Sequence, residues 1–389
     1  MRKYIIPFAI VLFIISCSKD EPETPKGGSF IKFYGTSADD NGIDVVCTPD
    51  GGYLFLVNLY SNTKVLKLNQ SGNLQKTISF FDDSVFSQGS KMYECANGEV
   101  IAAGIISTIE SDTTVPNRDI FISRITMAGD ITLQKLYRWR YSQDIHTLIE
   151  NPDGSFLLAG STNSNMAGQS TNDKNIFLMH ITHEGDSTYA FIFDNLTEDD
   201  YPSDILHLPD GNCIIACNSK SVNPSFTDYN TLLIETAQDG TLQNIAIYPT
   251  DDKVITVKIL LSPNNDLFMI CNSTNMPYLE VLKIDNFISY TPVWRRRIEN
   301  IISSVNSAIL YKNNQVVFCG QEGNNMVIGI TNLEGEMVSY NTFGSAGDES
   351  GLSVKLTPDD GFIIAGTSNF ESNKAAMLLK TSSEMKLKN

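Results

Sequence analysis

The sequence predicts an all-β fold, a seven-bladed β-propeller built from four-stranded antiparallel blades. Three observations lead there. First, one sentence is written seven times: TPDGGYLFLVN from Thr48, CANGEVIAAGIIS from Cys95, NPDGSFLLAGST from Asn151, LPDGNCIIACNS from Leu208, SPNNDLFMICNST from Ser262, KNNQVVFCGQEG from Lys312 and TPDDGFIIAGTS from Thr357. Second, each copy is followed by another apolar run and a polar turn, usually with glycine, as at Gly72, Gly129, Gly185, Gly240 and Gly335. No helical periodicity intervenes, so each unit of about 50 residues supplies four short strands, the size of a propeller blade. Third, the chain ends too early to complete its last unit, while SFIKFYG (Ser29–Gly35) stands unpaired before the first. It matches SYNTFG (Ser339–Gly344), the outer strand of unit six, and is therefore expected to close the last blade and hide its edge.

The elements follow in order. Asp50, Asn97, Asp153, Asp210, Asn264, Asn313 and Asp359 mark the turn of each first hairpin. Asp-Gly and Asn-Gly pairs point to type I′ turns, in which both central residues take positive φ. The runs behind them are continuously apolar, as strands buried on both faces should be. Cys217, Cys271 and Cys319 fall where other copies carry Ala-Gly. That slot wants a small buried residue, which a free thiol can be. The six cysteines beyond position 17 show no C-x-x-C spacing, and buried thiols are favoured over a disulfide.

Ahead of the repeats, Arg2 and Lys3 precede an apolar stretch, Tyr4 to Ile15, too short to span a bilayer. Ile14-Ile15-Ser16-Cys17 resembles a bacterial lipobox, which implies cleavage after residue 16 and lipidation of Cys17, palmitate included. Ser18-Lys19-Asp20-Glu21 resembles the signal that sends Bacteroidetes lipoproteins to the outer face of the outer membrane. The expected organisation is residues 1–17 as signal peptide, 18–28 as a flexible Pro- and Gly-rich tether, and 29–389 as one monomeric propeller domain. The expected place is the outer membrane, lipid-anchored and surface-exposed, with the periplasmic face as the alternative. The DGG(Y/F)-apolar-AG(S/T) repeat over 29–389 resembles seven-bladed Bacteroidetes lipoproteins, broadly similar to WD40-like and quinoprotein-like rings. It departs from both: there is no Gly-His or Trp-Asp pair, and only Trp139 and Trp294 are present.

Net charge is −17 over 389 residues, so nucleic acid is excluded as an expected partner. A glycan or a protein is expected instead. The Asp-Gly turns share one face of the ring, where loops are minimal. The opposite face carries long second-to-third strand connections in units two to four: Ser107–Asp119, Thr162–Asn175 and Asn218–Asn230. Binding usually lives on such loops. Near them fall Arg138, Trp139, Arg140, Tyr141, Asp144 and Tyr201, whose rings suit sugar faces and whose charges suit hydroxyls and carboxylates. Tyr137, Trp139 and Tyr141 are equally suited to burial between blades. Asp40, Asp144, Asp200, Asp252, Asp348 and Glu349 recur at the starts of innermost strands. Such carboxylates either cap loops or hold Ca²⁺, the one cofactor considered, with Asp40, Asp144, Asp200 and Asp348 as the metal candidates.

No G-x-S-x-G, Walker loop, G-x-G-x-x-G or H-E-x-x-H is present, and His180 and His183 point to opposite faces of a strand. No catalytic residue is selected. The expected function is a non-catalytic binding or scaffold module for glycan or protein. The competing class is a glycosidase or lyase using channel-mouth carboxylates. A convergent His, Arg and Tyr set on the long-loop face would favour the enzyme; a flat aromatic groove would favour binding; an apolar patch would favour a structural subunit.

Overall fold

The computed structural model describes residues 28–36, 38–83, 85–108, 117–138, 142–164, 170–193, 199–220, 229–248, 254–273, 278–285, 291–299, 304–345, 347–370 and 373–387. Cys17, the signal segment, the tether up to residue 27, Trp139, Arg140, Tyr141 and Asp252 lie outside these residues.

Twenty-eight strands make seven four-stranded antiparallel sheets arranged as a seven-bladed propeller, with no helix among the described residues. Six blades use four consecutive strands. The seventh takes Phe30–Tyr34 as its outer strand, paired with Asn373–Thr381. Phe30 meets Tyr53 edge-on at 6.0 Å, and the Tyr34 hydroxyl donates to the Gly72 carbonyl at 2.6 Å. The closing strand therefore ties blade 7 to blade 1 as well as hiding an edge.

The inner strands of blades 1 to 7 are Asp40–Cys47, Ser87–Glu94, Gln143–Glu150, Asp200–His207, Val254–Leu261, Ser304–Tyr311 and Asp348–Leu356. Each second strand is flanked by two neighbouring blades, so it is buried on both sides; Tyr53 to Asn58 are all buried. This is why the repeats read as apolar runs rather than alternations. Outer strands are mostly exposed, as at Leu74–Ser79. The core is seven seams, one per blade junction. In the seam of blades 1 and 2, Leu54, Leu56 and Ile78 pack on Met92, Val100 and Phe121. Phe55, Phe121, Phe156, Phe177, Phe268, Phe318 and Phe362 are the large rings of these seams, each fully buried and each worth about 1.5–3 kcal/mol of transfer free energy.

The first-hairpin turns correct the type I′ expectation in six blades. Gly51 N–H bonds the Thr48 carbonyl at 2.9 Å, so Pro49 and Asp50 are the central pair, and only Gly51 has positive φ, +79°. This is a type I turn followed by one left-handed residue. Asn265 and Asp360 fill the left-handed position in blades 5 and 7. The deciding residue precedes the Asp: Pro49, Pro152, Pro209, Pro263 and Pro358 hold φ near −65°, as the first central position of type I requires. Only blade 6 has two consecutive positive φ values, at Lys312 and Asn313, with Asn314 N–H bonded to the Tyr311 carbonyl.

A second regularity marks the inner strands. Each carries a β-bulge at one register, between Gly42 and Asp44 in blade 1 and between Ile145 and Thr147 in blade 3. The other five blades repeat it. The extra residue always falls seven positions before the turn Asp or Asn. Five of the six free cysteines are buried; Cys217, Cys271 and Cys319 are fully enclosed in the expected slot.

Candidate functional site

The inner-strand starts and the second-to-third strand connections share one face. Those connections run from Thr108 to Asn117 and from Lys220 to Tyr229 in blades 2 and 4, against Leu59 to Asn62 and Glu322 to Asn325 in blades 1 and 6. In blade 3 much of the expected loop is strand, because Phe156–Ser164 and Ser170–Ile181 both reach into it.

On this face, blades 2, 3 and 4 bring six side chains together. The bulge in Gln143–Glu150 makes His146 the extra residue and re-aims its ring. Its Nε2 lies 3.1 Å from Ser161 Oγ, and its ring centre is 5.9 Å from that of Tyr201, tilted by 59°. Asp144, two residues earlier, is held by two cations. Arg118 Nη1 donates to Oδ1 at 3.1 Å, and Lys174 Nζ bonds Oδ2. Lys174 Nζ also stands 5.7 Å from the Tyr201 ring centre, within cation–π range. Asp199 completes the array, accepting the Lys174 N–H at 2.9 Å on Oδ1 and the Tyr201 hydroxyl at 3.1 Å on Oδ2.

Electrostatics follow the geometry. Burial pushes His146 down to about 4; Lys174 adds to this and Asp144 opposes it, so the imidazole is neutral at pH 7. Burial pulls Asp144 upward, but the hydrogen bonds and charges of Lys174 and Arg118 outweigh it and hold the carboxyl below its usual range. Arg118 is 48% exposed and Lys174 35%, so both offer donors to an incoming ligand beyond those spent on Asp144. The array combines two cationic donors, two carboxylates and two rings on a rigid sheet.

Of the residues the sequence singled out, Asp144 and Tyr201 are brought together here. Arg138 is exposed just past the outer strand of blade 2. Sequence reasoning missed Arg118, Lys174 and Asp199, and passed over His146. The signal for His146 was its place, seven residues before the turn, where every blade carries its bulge. Tyr137 is half-buried in the seam, its hydroxyl on the Gly185 carbonyl at 2.8 Å.

The carboxylates considered for a metal do not converge. Asp40 is fully buried and accepts N–H groups from Thr36 and, at 2.8 Å, from Tyr60. Asp200 is buried and Asp348 exposed; beside Asp348, the buried Glu349 bonds Ser345 Oγ at 2.6 Å and Ser368 Oγ at 3.0 Å. Both of Asp144's oxygens face cations. Among the described residues no group of three or more His, Cys, Asp or Glu side chains could hold a metal ion.

The turn face is less bare than expected. A cavity of 570 Å³ opens there between blades 2 to 4, lined by Tyr93, Glu150, Asn151, Asp153, His183 and His207. Several of its walls are tied to each other: His207 Nε2 lies 2.8 Å from the Glu150 carbonyl, Glu150 Oε2 accepts the Ala96 N–H at 2.7 Å, and Arg124 Nη1 lies 3.3 Å from His183 Nε2.

No protein-family model and no curated protein matches the chain. Solved structures do match in fold. An ulvan lyase of polysaccharide lyase family PL25 superposes with a TM-score of 0.63 at 10% identity, over 91% of this chain and 96% of that one. The NanB sialidase of Streptococcus pneumoniae gives 0.54 at 10% identity, over 87% and 83%. The GH93 α-L-arabinofuranosidase of Fusarium graminearum, complexed with arabinobiose, gives 0.53 at 11%, over 91% and 97%. Identities this low establish a shared fold alone.

Proposed function

We propose that this chain is a lipid-anchored glycan-binding protein. In this reading Cys17 carries the lipid, residues 18–28 are the tether, and the glycan binds the long-loop face over blades 2 to 4. The observation that carries the ligand class is the array of Arg118, Asp144, Lys174, Asp199, His146 and Tyr201. Sugars present hydroxyls that both donate and accept, and apolar ring faces that stack on aromatics. Arg118 and Lys174 supply donors, Asp144 and Asp199 supply acceptors, and Tyr201 supplies a ring. Support also comes from the ulvan lyase of like fold, a polysaccharide lyase solved bound to -[GlcA(1-4)Rha3S]- with a TM-score of 0.61. Binding is the first reading because the groups are spent on each other: Tyr201 donates to Asp199, and His146 is bonded to Ser161.

A second reading, cleavage of the glycan, is favoured by one observation. His146, Arg118 and Tyr201 form the convergent set that an enzyme would need, with a neutral imidazole able to accept a proton. For this reading the bond of His146 to Ser161 has to exchange for one to substrate, which is why it stands second.

A glycan array probed with residues 29–389, followed by Arg118→Ala and Tyr201→Ala, tests the first reading. Binding that falls at least about tenfold in both variants is expected; binding that survives both would place the ligand elsewhere. New reducing ends or unsaturated sugars released from any bound polysaccharide, and lost in His146→Gln, would move the assignment to cleavage.

A further inference from the structure

Five charged side chains stand on the inner strands that surround the axis of the ring, on a part of the molecule distinct from the long-loop array. They are Asp44, Lys91, Asp204, Lys258 and Lys355, from blades 1, 2, 4, 5 and 7. Asp44, Lys91, Asp204 and Lys258 all occupy the position just past the bulge, so one register feeds the ring. Adjacent blades pair directly: Lys258 to Asp204 at 2.6 Å, and Lys91 and Lys355 to Asp44 at 3.5 and 3.9 Å. Non-adjacent blades also feel one another, Asp204 acting on Lys91 and Lys258 on Lys355. The five charges therefore act on one another across the ring.

The ring is not balanced. Three ammonium groups face two carboxylates in a chain whose net charge is −17. Asp204 is taken by Lys258, leaving Asp44 to serve two lysines. Asp44 is already engaged by shorter bonds, from Val45 N–H at 2.9 Å and Ser353 Oγ at 2.6 Å on Oδ1 and from Met92 N–H at 3.1 Å on Oδ2. Lys91 is left at the limit of a hydrogen bond and Lys355 beyond it. Both are partly accessible, 27% and 35%, whereas Asp44 is 1%. Asp44 raises the Lys355 pKa, but burial and the charges of Lys91 and Lys258 outweigh it, so this lysine sits below its usual range. An excess of positive charge between low-dielectric walls focuses the field on the axis. A cavity of 350 Å³ opens on the turn face beside Cys47, Glu94 and Leu356, which follow Asp44, Lys91 and Lys355 on the same three strands. Glu94 is exposed at that mouth, outside the ring.

We propose that the axis of the propeller is an anion site, in which Lys91, Lys258 and Lys355 hold one oxyanion group, a sulfate, phosphate or carboxylate. Lys91 and Lys355 donate to it the N–H groups that Asp44 does not take. The site is independent of the glycan reading and survives its failure.

The test is calorimetric titration of residues 29–389 with inorganic sulfate, exchanged against chloride at constant ionic strength. The wild type is expected to show one saturable site. Lys355→Met and Lys258→Met should each weaken it about tenfold, as loss of one of three cations implies. Asp44→Asn should tighten it, since the competing charge goes while Oδ1 still accepts from Val45 and Ser353, a gain that a damaged fold does not produce. Lys64→Met, which breaks an outlying pair with Asp83, should change nothing. Thermal melts identify any variant that fails to fold, and the remaining variants then decide. Absence of saturable binding, equal affinity in the folded lysine variants, or weaker binding in Asp44→Asn overturns the proposal.

Discussion

Acid should unfold this domain in a window set by His146. In the unfolded chain an imidazole takes its proton near pH 6.5, whereas in the folded protein burial delays it to about 4. Between those values the unfolded state binds more protons, so stability falls as pH falls. The stabilisation is fully present above the unfolded value, declines through the interval and is gone below about 4. At ~1.4 kcal/mol per pKa unit the loss approaches about 3 kcal/mol, an upper limit because the ring is only half-buried. Urea unfolding of residues 29–389 at about pH 7.5, 5.5 and 4 measures it, with His146→Gln as the reference that keeps a partner for Ser161 and does not titrate. Carboxylate contributions are common to both proteins and cancel in the difference. Wild type should lose up to about 3 kcal/mol more than the variant across the window. Parallel pH dependences, or an NMR titration of His146 centred near 6.5, would refute the placement of this ring in a half-buried seat beside Tyr201.

Other consequences are directly measurable. Deleting residues 29–35 strips the outer strand of blade 7 and bares the edge of Asn373–Thr381; self-association and a lower melting temperature are expected by light scattering and calorimetry, and an unchanged monomer would mean the strand is no clasp. Gly160→Ala puts a Cβ at 2.3 Å from the Asp144 carbonyl and 2.4 Å from the Phe177 ring, so it should cost about 1–3 kcal/mol and shift the strand that carries His146. Burial pushes the Cys271 thiol up to about 12, and Cys217 rises for the same reason. In the native protein neither should react with a thiol reagent, and all six thiols of residues 29–389 should react once it is denatured.

How much was legible follows the repeat. The blades, their order and the closing strand could be read because seven copies average out local noise, and because apolar runs between turn residues admit few alternatives. The turn type was misread at Asp50 although Pro49, beside it, carried the answer. The array was half legible. Asp144 and Tyr201 stood out by residue type near long loops. Arg118 and Lys174 did not, since each is an ordinary polar residue near a strand end whose partner lies 26 or 30 positions away in sequence. His146 was hidden by the bulge, which changes which way a side chain points without any change in composition. The axial ring was legible in position alone: Asp44, Lys91, Asp204 and Lys258 each stand six residues before the turn Asp or Asn, but the pairing of their charges between blades is seen only in the fold.

The central claim is that ligand recognition sits on the long-loop face of blades 2 to 4. The most direct measurement is a crystal structure of residues 29–389 with an oligosaccharide selected on a glycan array. The account predicts a sugar ring against Tyr201, with hydroxyl or carboxylate oxygens bonded to Arg118, Lys174 and Asp144. A sugar bound in the turn-face cavity between Tyr93 and His207, or on an outer blade edge, with the array untouched, would contradict it.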